Sequence, residues 1–309
     1  MKLSFLLLLV CSTVAHGLVC SSPCALRPGA RFVARRPLSI DMQSAFTPAR
    51  AAKLAAFAGL TAASVRLAGP PGSVLARVFG GSLAATLTGV IDGHAAVSYG
   101  YGASLMWLAA VFSVQLMAQG PAARLFALTY ALYGVKVCLF QAARDVRPAY
   151  VLKALAPARA RAGSSGSAKR VPFCISIALL LSTFAFPLHV VAIATPSLAI
   201  SRAVNSGAAL ALAGLLLQTV ADVQKYLHKA RRGANSPCTR GLWRFSRHPN
   251  YLGEIVFHCG LLLAALPACR SAAAVWLVLL APVTFISIML GSTSGLEAVR
   301  APTRPPRTA

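Results

Sequence analysis

Long apolar runs recur along the chain and set the first limit on its fold. A helix needs about 20 mainly apolar residues to cross a hydrocarbon core about 30 Å thick. Runs close to that length lie at 51–66, 74–91, 98–117, 122–143, 171–194, 200–223, 250–267 and 271–291. They contain Gly and do not alternate in the manner of barrel strands. The sequence predicts an all-α fold, a polytopic transmembrane helical bundle with about seven to eight spans after an N-terminal leader.

Basic residues dominate the charged positions. The 309 residues include 30 Lys and Arg but only 6 Asp and Glu, a formal net charge of +24. In a soluble protein this excess would suggest nucleic acid. Here the bases gather between apolar runs, as the positive-inside rule predicts. Pairs of spans separate the basic segments 144–170, 225–248 and 300–309, so we place all three on the cytosolic or stromal face. The expected partners are the lipid bilayer and a lipophilic small molecule, with no nucleic acid.

The N-terminal segment has the composition of a targeting leader. Residues 1–17 combine a basic start, an apolar core and small residues near Ala15, which is the pattern of a secretory signal peptide. Residues 18–50 are rich in Arg and contain only Asp41 as an acid. This resembles the two-part leader of proteins that enter plastids surrounded by extra membranes; the alternative is a secretory-pathway protein with a basic N-terminal segment. We expect a multi-pass protein of a plastid membrane or the endoplasmic reticulum.

The remaining chain divides at its basic segments. N-terminal membrane helices occupy 51–143, the basic loop 144–170 follows, and a C-terminal membrane domain covers 171–299. The Pro- and Arg-rich tail 300–309 is expected to be disordered. Eight Cys are present without a CxxC pair or a Cys/His metal spacing. We therefore predict neither structural disulfides nor a bound metal.

Polar residues recur at helical spacing where the run 200–223 ends. In "LLLQTVADVQKYLHKARRG", Gln218, Asp222, Lys225 and Lys229 share one helical face. An ionised Asp inside the membrane boundary is costly without a partner. Lys225 lies within reach, so an intrahelical pair with Asp222 is expected. For the lysines alone, extension towards the headgroups is the simpler alternative.

The stretch "GLWRFSRHPNYLGE" (241–254) opens the next apolar run with a polar cluster. Pro249 suits a first helical turn, because its missing N–H has no partner to lose there. The residues that then share one helical face are Asn250, Glu254, Phe257 and His258, with Tyr251 at the edge. Polar residues on one face of a membrane helix normally face the bundle interior.

The start of this helix also offers charge and flat surfaces. Its free N–H groups favour an anion, and four basic side chains surround it: Arg240, Arg244, Arg247 and His248. Trp243 and Tyr251 supply rings on which a heteroaromatic group can stack. The pattern predicts a nucleotide cofactor site. The alternative is a structural belt of Trp, Tyr and Arg at the membrane surface, which would not need Asn250 and Glu254.

This string, preceded by "ADVQKYLHKARRG", resembles the C-terminal domain of the steroid 5-alpha-reductase-like membrane proteins, and among them the DUF1295 branch. The resemblance covers about 200–267. Upstream, "ALYGVKVCLFQAARD" (131–145) resembles a W-G-x-R-L segment of that branch, with Tyr133 in place of Trp and Lys136 in place of Arg. Family members are multi-helix membrane enzymes, and the characterised sterol reductases use NADPH to reduce a carbon–carbon double bond.

The resemblance implies a membrane-bound NADPH-dependent oxidoreductase that acts on a lipophilic, sterol- or isoprenoid-like substrate. It also implies the cofactor-binding residues, which are Lys225, Lys229, Trp243, Arg247, His248, Asn250, Tyr251 and Glu254. Lys229 replaces an Arg of the sterol reductases and lacks the planar fork of that side chain. No motif identifies the proton donor. The candidates beside the run 98–117 are Asp92, Tyr99 and Tyr101, with His94 nearby; Tyr and His at a membrane edge are also ordinary belt residues.

Two other function classes stay open. Isoprenylcysteine and phospholipid methyltransferases carry a similar RHP-x-Y-x-G string, so an S-adenosylmethionine-dependent methyltransferase is the first alternative; Glu254 favours the reductase. A degenerate, non-catalytic relative is the second. Relatives continue after the last span with a soluble stretch that completes the nucleotide site, whereas here "STSGLEAVR" leads into "APTRPPRTA". We expect either a truncated sequence or an incomplete cofactor site.

Overall fold

The computed structural model describes residues 73–91, 96–145, 167–233 and 236–300, and all regular structure in them is helical. In chain order the helices are α1 (Val74–Thr86), α2 (Thr88–Ile91), α3 (Tyr99–Val111), α4 (Ser113–Ala118), α5 (Pro121–Asp145), α6 (Ser167–Ser182), α7 (Ala185–Ala192), α8 (Leu198–Arg232), α9 (Pro249–Ala265) and α10 (Ala272–Arg300). Short 3₁₀ turns lie at Gly241–Arg244 and Leu266–Ala268.

Within these residues, five segments are long and apolar enough to cross a membrane: Pro121–Arg144, Arg170–Ala192, Leu198–Arg232, Pro249–Ala268 and Ala272–Ser294. They coincide with the last five runs predicted from the sequence. The predicted all-α, multi-pass membrane fold is therefore confirmed. The predicted run 51–66, the signal peptide 1–17 and the basic leader 18–50 lie outside the described residues, as does the tail after Arg300.

The two other predicted runs are divided into shorter helices. The run 74–91 becomes α1 and α2, and the run 98–117 becomes α3 and α4. Hydroxyl side chains lie at both divisions. Thr88 Oγ1 donates a hydrogen bond to the Ala85 carbonyl (2.9 Å), and Ser113 Oγ donates one to the Ala110 carbonyl (2.7 Å). Such side chains compete with backbone N–H groups for helix carbonyls, which hydropathy does not register.

The predicted loop 144–170 is helical at both of its ends. Helix α5 continues to Asp145, and α6 begins at Ser167; residues 146–166 lie outside the described residues. Helix α8 also extends beyond the run 200–223. It is 35 residues long and continues to Arg232. Its C-terminal turns therefore carry the polar face that includes Lys225.

Helices α8 and α9 pack antiparallel with their backbones in close contact. Gly214 of α8 faces Gly253 of α9, and Gly207 faces Gly260. A Cβ added to Gly253 would lie 2.7 Å from the Gly214 carbonyl oxygen, and one on Gly260 would lie 2.6 Å from that of Gly207. Small residues allow this approach in a membrane bundle. This close approach places the side chains next to the glycines of α8 and α9 at the same height in the bundle.

Helices α3 and α5 form a second close pair. A Cβ on Gly134 would lie 2.4 Å from the Gly102 carbonyl oxygen. The residues that precede these two glycines are Tyr101 and Tyr133, whose ring centroids are 5.4 Å apart. Helix α5 also contacts α8, so the two helix pairs meet in the interior of the bundle.

Candidate functional site

Glu254 lies in the interior of the bundle, in the second turn of α9, with 4% of its surface exposed. The hydroxyls of Tyr101 and Tyr133 both donate to its Oε1, and the Tyr101 distance is 3.3 Å. The Gln218 amide Nε2 donates to Oε2, and His258 Nε2 lies 3.5 Å from Oε1. These five residues from α3, α5, α8 and α9 are called the buried carboxylate cluster below.

The buried carboxylate cluster combines exchangeable protons with unfilled hydrogen-bonding positions. Three uncharged donors surround Glu254, and two of them are phenols able to pass a proton to or from a reacting group. Gln218 Oε1 and both ring nitrogens of His258 have no hydrogen-bond partner among the described residues. Buried polar atoms are rarely left in this state. These three atoms can therefore form hydrogen bonds with a group that is not a member of the cluster.

Aromatic rings enclose the cluster on the side towards α7 and α10. The His258 ring centroid lies 5.6 Å from that of Phe184 and 5.4 Å from that of Phe285. Tyr101 stacks on Phe285 at 4.8 Å, and Tyr133 packs on Phe257 at 4.2 Å. A carboxylate in these apolar surroundings interacts strongly with the few polar groups that reach it.

An ion pair joins α5 to α8 next to the cluster. Lys136 Nζ lies 2.6 Å from Asp222 Oδ2, and the two side chains are 12% and 11% exposed. The sequence predicted Lys225 as the partner of Asp222, on grounds of helical spacing. The structure pairs Asp222 with Lys136, because α5 packs against α8 at this level; the contact of Asp222 with Lys225 stays a prediction. Lys225 Nζ lies 4.9 Å from the centroid of the Trp243 ring.

The segment before α9 folds back on the last turns of α8. Trp243 Nε1 donates to the Ala221 carbonyl (2.9 Å), and the Leu242 N–H donates to Gln224 Oε1 (2.9 Å). Gly241 has a φ of +62°, and a Cβ there would lie 2.6 Å from Gln224 Oε1. A left-handed conformation in so tight a space favours glycine. These contacts hold the indole of Trp243 against Lys225.

The first turn of α9 carries the next predicted residues. His248 stacks on Tyr251 with ring centroids 5.4 Å apart, and the His248 N–H donates to Ser246 Oγ (3.2 Å). Asn250 is half-buried, and its Oδ1 has no hydrogen-bond partner among the described residues. Arg247 is exposed.

Lys229 lies one turn beyond Lys225, and it is half-buried near the end of α8. Seven of the eight predicted cofactor-binding residues thus lie around the junction of α8 and α9. These seven are called the cationic entrance: Lys225, Lys229, Trp243, Arg247, His248, Asn250 and Tyr251.

The residue types of the cationic entrance are those that could hold a phosphate-bearing heteroaromatic ligand. Between Asp222 and Glu254 the chain has seven Lys and Arg and no acid. Cations and the N-terminus of a helix bind phosphate oxygens, and an indole offers a stacking surface. The unpartnered Oδ1 of Asn250 adds a position that an N–H of such a ligand can fill.

The other predicted residues are the acid Glu254 and the candidate proton donors with their neighbour His94. Glu254 belongs to the interior, and its role in cofactor binding stays a prediction. Tyr101, a candidate proton donor, contacts it directly. Tyr99 is half-buried on α3 and accepts a weak contact from Cys138 Sγ at its carbonyl (3.8 Å). Asp92 and His94 lie outside the described residues.

Sequence reasoning did not identify Tyr133, Gln218, His258 or Lys136 as members of the site. Tyr133 and Lys136 were noted only as departures from a family segment, and the other two only as positions on a polar face. The sequence did contain a signal that Lys136 has a buried acidic partner. A lysine inside an apolar span needs an anionic neighbour, and the chain has only six acids.

The fold and site define a helical membrane protein whose polar interior lies beside a cationic helix junction. The chain matches the family model described as DUF1295, protein of unknown function, over residues 90–303, and it belongs to that family. No curated protein and no solved structure matched the chain.

Proposed function

We propose that the protein is a membrane-bound NADPH-dependent oxidoreductase that reduces a carbon–carbon double bond in a lipophilic substrate. The observation that carries the proposal is the position of two chemically different groups on one helix. Asn250 of the cationic entrance and Glu254 of the buried carboxylate cluster are one turn apart on α9, about 6 Å along the axis. An anion-binding surface and a buried proton-bearing centre are thus neighbours.

The cationic entrance supplies the contacts that a dinucleotide needs. Lys225, Lys229 and Arg247 would face its phosphates, together with the N-terminus of α9. The rings of Trp243 and Tyr251 would stack on its bases. When bound there, NADPH supplies a hydride equivalent.

The buried carboxylate cluster supplies the other half of the reaction. Saturation of a double bond adds a hydride to one carbon and a proton to the other. The Tyr133 hydroxyl is hydrogen-bonded to Glu254, and we assign it as the proton donor, with the Tyr101 hydroxyl as the second candidate. Glu254 would orient the phenol, and a proton from water would restore the phenol after the product leaves. Before that step, the aromatic surroundings would keep water from competing for the Tyr133 proton.

Two further points support a reductase over a methyltransferase. The resemblance to the steroid 5-alpha-reductase-like proteins extends to an acid at position 254. Methyl transfer from a sulfonium donor also requires no proton donor, so it would leave the two phenols at Glu254 without a use. A sterol- or isoprenoid-like substrate would reach the cluster from the bilayer.

The proposal is tested by titrating cofactors into the purified full chain in lipid nanodiscs. The variant Lys225→Ala should weaken NADPH binding about tenfold, because a hydrogen bond to a charged group contributes about 1.5–3 kcal/mol. Arg202→Ala is the matched control. Arg202 is an exposed cation on α8, about 35 Å from Lys225 along the helix, and its removal should leave the affinity unchanged.

Two outcomes would overturn the assignment. The first is binding of S-adenosylmethionine without binding of NADPH, which would favour the methyltransferase. The second is an equal loss of NADPH affinity in both variants, because the cofactor would then respond to overall charge rather than to the cationic entrance.

A further inference from the structure

His258 is a fully buried imidazole in the second half of helix α9. Its exposed fraction is 0%, and neither ring nitrogen has a hydrogen-bond partner among the described residues. His258 Nε2 lies 3.5 Å from Glu254 Oε1, which is ion-pair distance when the ring is protonated. An imidazole in such surroundings loses its hydrogen bonds to water, and one contact of 3.5 Å to a carboxylate is at the outer limit of a replacement. This points to a partner outside the described residues.

Gln218 presents a second unfilled position beside the same carboxylate. Its Nε2 donates to Glu254 Oε2, so the amide orientation is fixed: a rotated amide would set its oxygen against the carboxylate. The Oε1 that remains is an acceptor without a donor among the described residues. Two unfilled groups, one from α8 and one from α9, therefore border Glu254.

The surroundings restrict the charge of any ligand. Glu254 would repel a carboxylate. An ammonium group would lose its hydration on entering this apolar interior, which is costly for an ion, while three donors already occupy the carboxylate oxygens. The other charged groups nearby, Lys136 and Asp222, neutralise each other. Gln218 Oε1 requires a donor. A neutral hydroxyl satisfies these conditions, because it donates its one O–H to Gln218 Oε1 and accepts a hydrogen bond from a ring N–H of His258.

Helix α10 stands between the cluster and lipid. It is the least buried of the five spans, and its outer surface includes Trp276, which is 73% exposed. Phe285 is its inward-facing aromatic residue, and it contacts the rings of Tyr101, Phe184 and His258. Phe285 is therefore the α10 ring that covers His258 on the side of this helix.

We propose that His258 and Gln218 bind the hydroxyl group of a neutral lipid-soluble alcohol, which reaches them from the bilayer past Phe285. The inference specifies the substrate class of the proposed reductase. It rests on that function only where it calls the bound alcohol a substrate. Binding itself requires no cofactor. Its test can therefore fail independently of the cofactor titration.

The test is photoaffinity labelling of the purified full chain in phosphatidylcholine nanodiscs without cofactor. A diazirine analogue of farnesol is the probe, and unlabelled farnesol, farnesene, farnesoic acid and farnesylamine are the competitors. Farnesol should protect residues 249–268 and 272–294 from labelling. The other three should compete about tenfold less well, the effect expected of one buried hydrogen bond. Equal competition by farnesene would overturn the proposal, and stronger competition by the acid or the amine would overturn the neutral class.

Variants locate the contact within the chain. His258→Phe keeps an aromatic ring and removes both nitrogens, and it should lower specific labelling about tenfold. His189→Phe is the matched control at an exposed histidine of α7, whose ring lies 5.9 Å from that of Phe112, and it should label normally. Phe285→Ala should raise the labelling rate. Unchanged labelling of His258→Phe would contradict the inference. The order of competitors in the unaltered chain decides the question even where a variant does not fold.

Discussion

The Tyr133 hydroxyl donates a hydrogen bond to Oε1 of Glu254, across 121 residues of sequence, and so links α5 to α9. Three residues later, Lys136 of the same helix forms an ion pair with Asp222 of α8. Residues three apart lie on one helical face. One face of α5 therefore supplies partners to both of the acids that α8 and α9 bury.

The first prediction concerns this hydrogen bond. Tyr133→Phe removes one donor from a buried carboxylate, which should lower the free energy of unfolding by about 1–3 kcal/mol. Tyr130→Phe is the matched control, because Tyr130 lies on the same helix, is fully buried and donates to the Phe184 carbonyl at 3.3 Å. A neutral acceptor makes that loss smaller, about 0.5–1.5 kcal/mol. The measurement is thermal unfolding in nanodiscs. Equal melting temperatures for the two variants would contradict a special role for Tyr133.

The second prediction concerns the ion pair between α5 and α8. Lys136→Met alone leaves a largely buried Asp222 without its cation, and breaking a buried pair in this way costs about 3–5 kcal/mol. The double variant Lys136→Met with Asp222→Leu removes both charges and should recover most of that loss. A double-mutant cycle of melting temperatures checks the coupling. Additive losses would mean that the two side chains contribute separately.

The third prediction concerns the close packing of α8 and α9. Gly253→Ala places a Cβ 2.5 Å from the Gln218 backbone nitrogen, so the helices must separate. Overpacking of this kind typically costs about 1–3 kcal/mol, and the yield of monodisperse protein should fall. Gly291→Ala on α10 is the control, because its added Cβ meets nothing within 4 Å. Normal behaviour of Gly253→Ala on gel filtration and in melting would contradict the backbone contact.

Much of the fold could be predicted because lipid imposes simple rules on sequence. Five apolar runs become membrane-length helical segments, one of them divided between α6 and α7, since helical segments satisfy their own backbone. The divisions at Thr88 and Ser113 were not predicted. They depend on single side-chain hydrogen bonds, which hydropathy averages over a whole window.

The interior site was only partly predictable, for a different reason. Helical spacing correctly placed Glu254 and His258 on one buried face, because periodicity reports which residues share a side. It does not report what lies opposite. The partners Tyr133 and Lys136 come from a helix that is distant in sequence, and only the contacts of α5 with its neighbours bring them in. For Asp222, spacing offered only a neighbour on its own helix.

The fourth prediction tests the central claim, that a dinucleotide binds where α9 begins. NADPH added to the full chain in nanodiscs should show sensitised nicotinamide emission when tryptophan is excited, because Trp243 would lie against the ligand. Trp243→Phe should abolish most of this emission while keeping a ring for stacking. Trp276→Phe, which alters the exposed tryptophan of α10, should leave it intact. Saturable emission that disappears only with Trp243 is the result we predict; emission that is absent, or that disappears with Trp276 instead, would contradict the account.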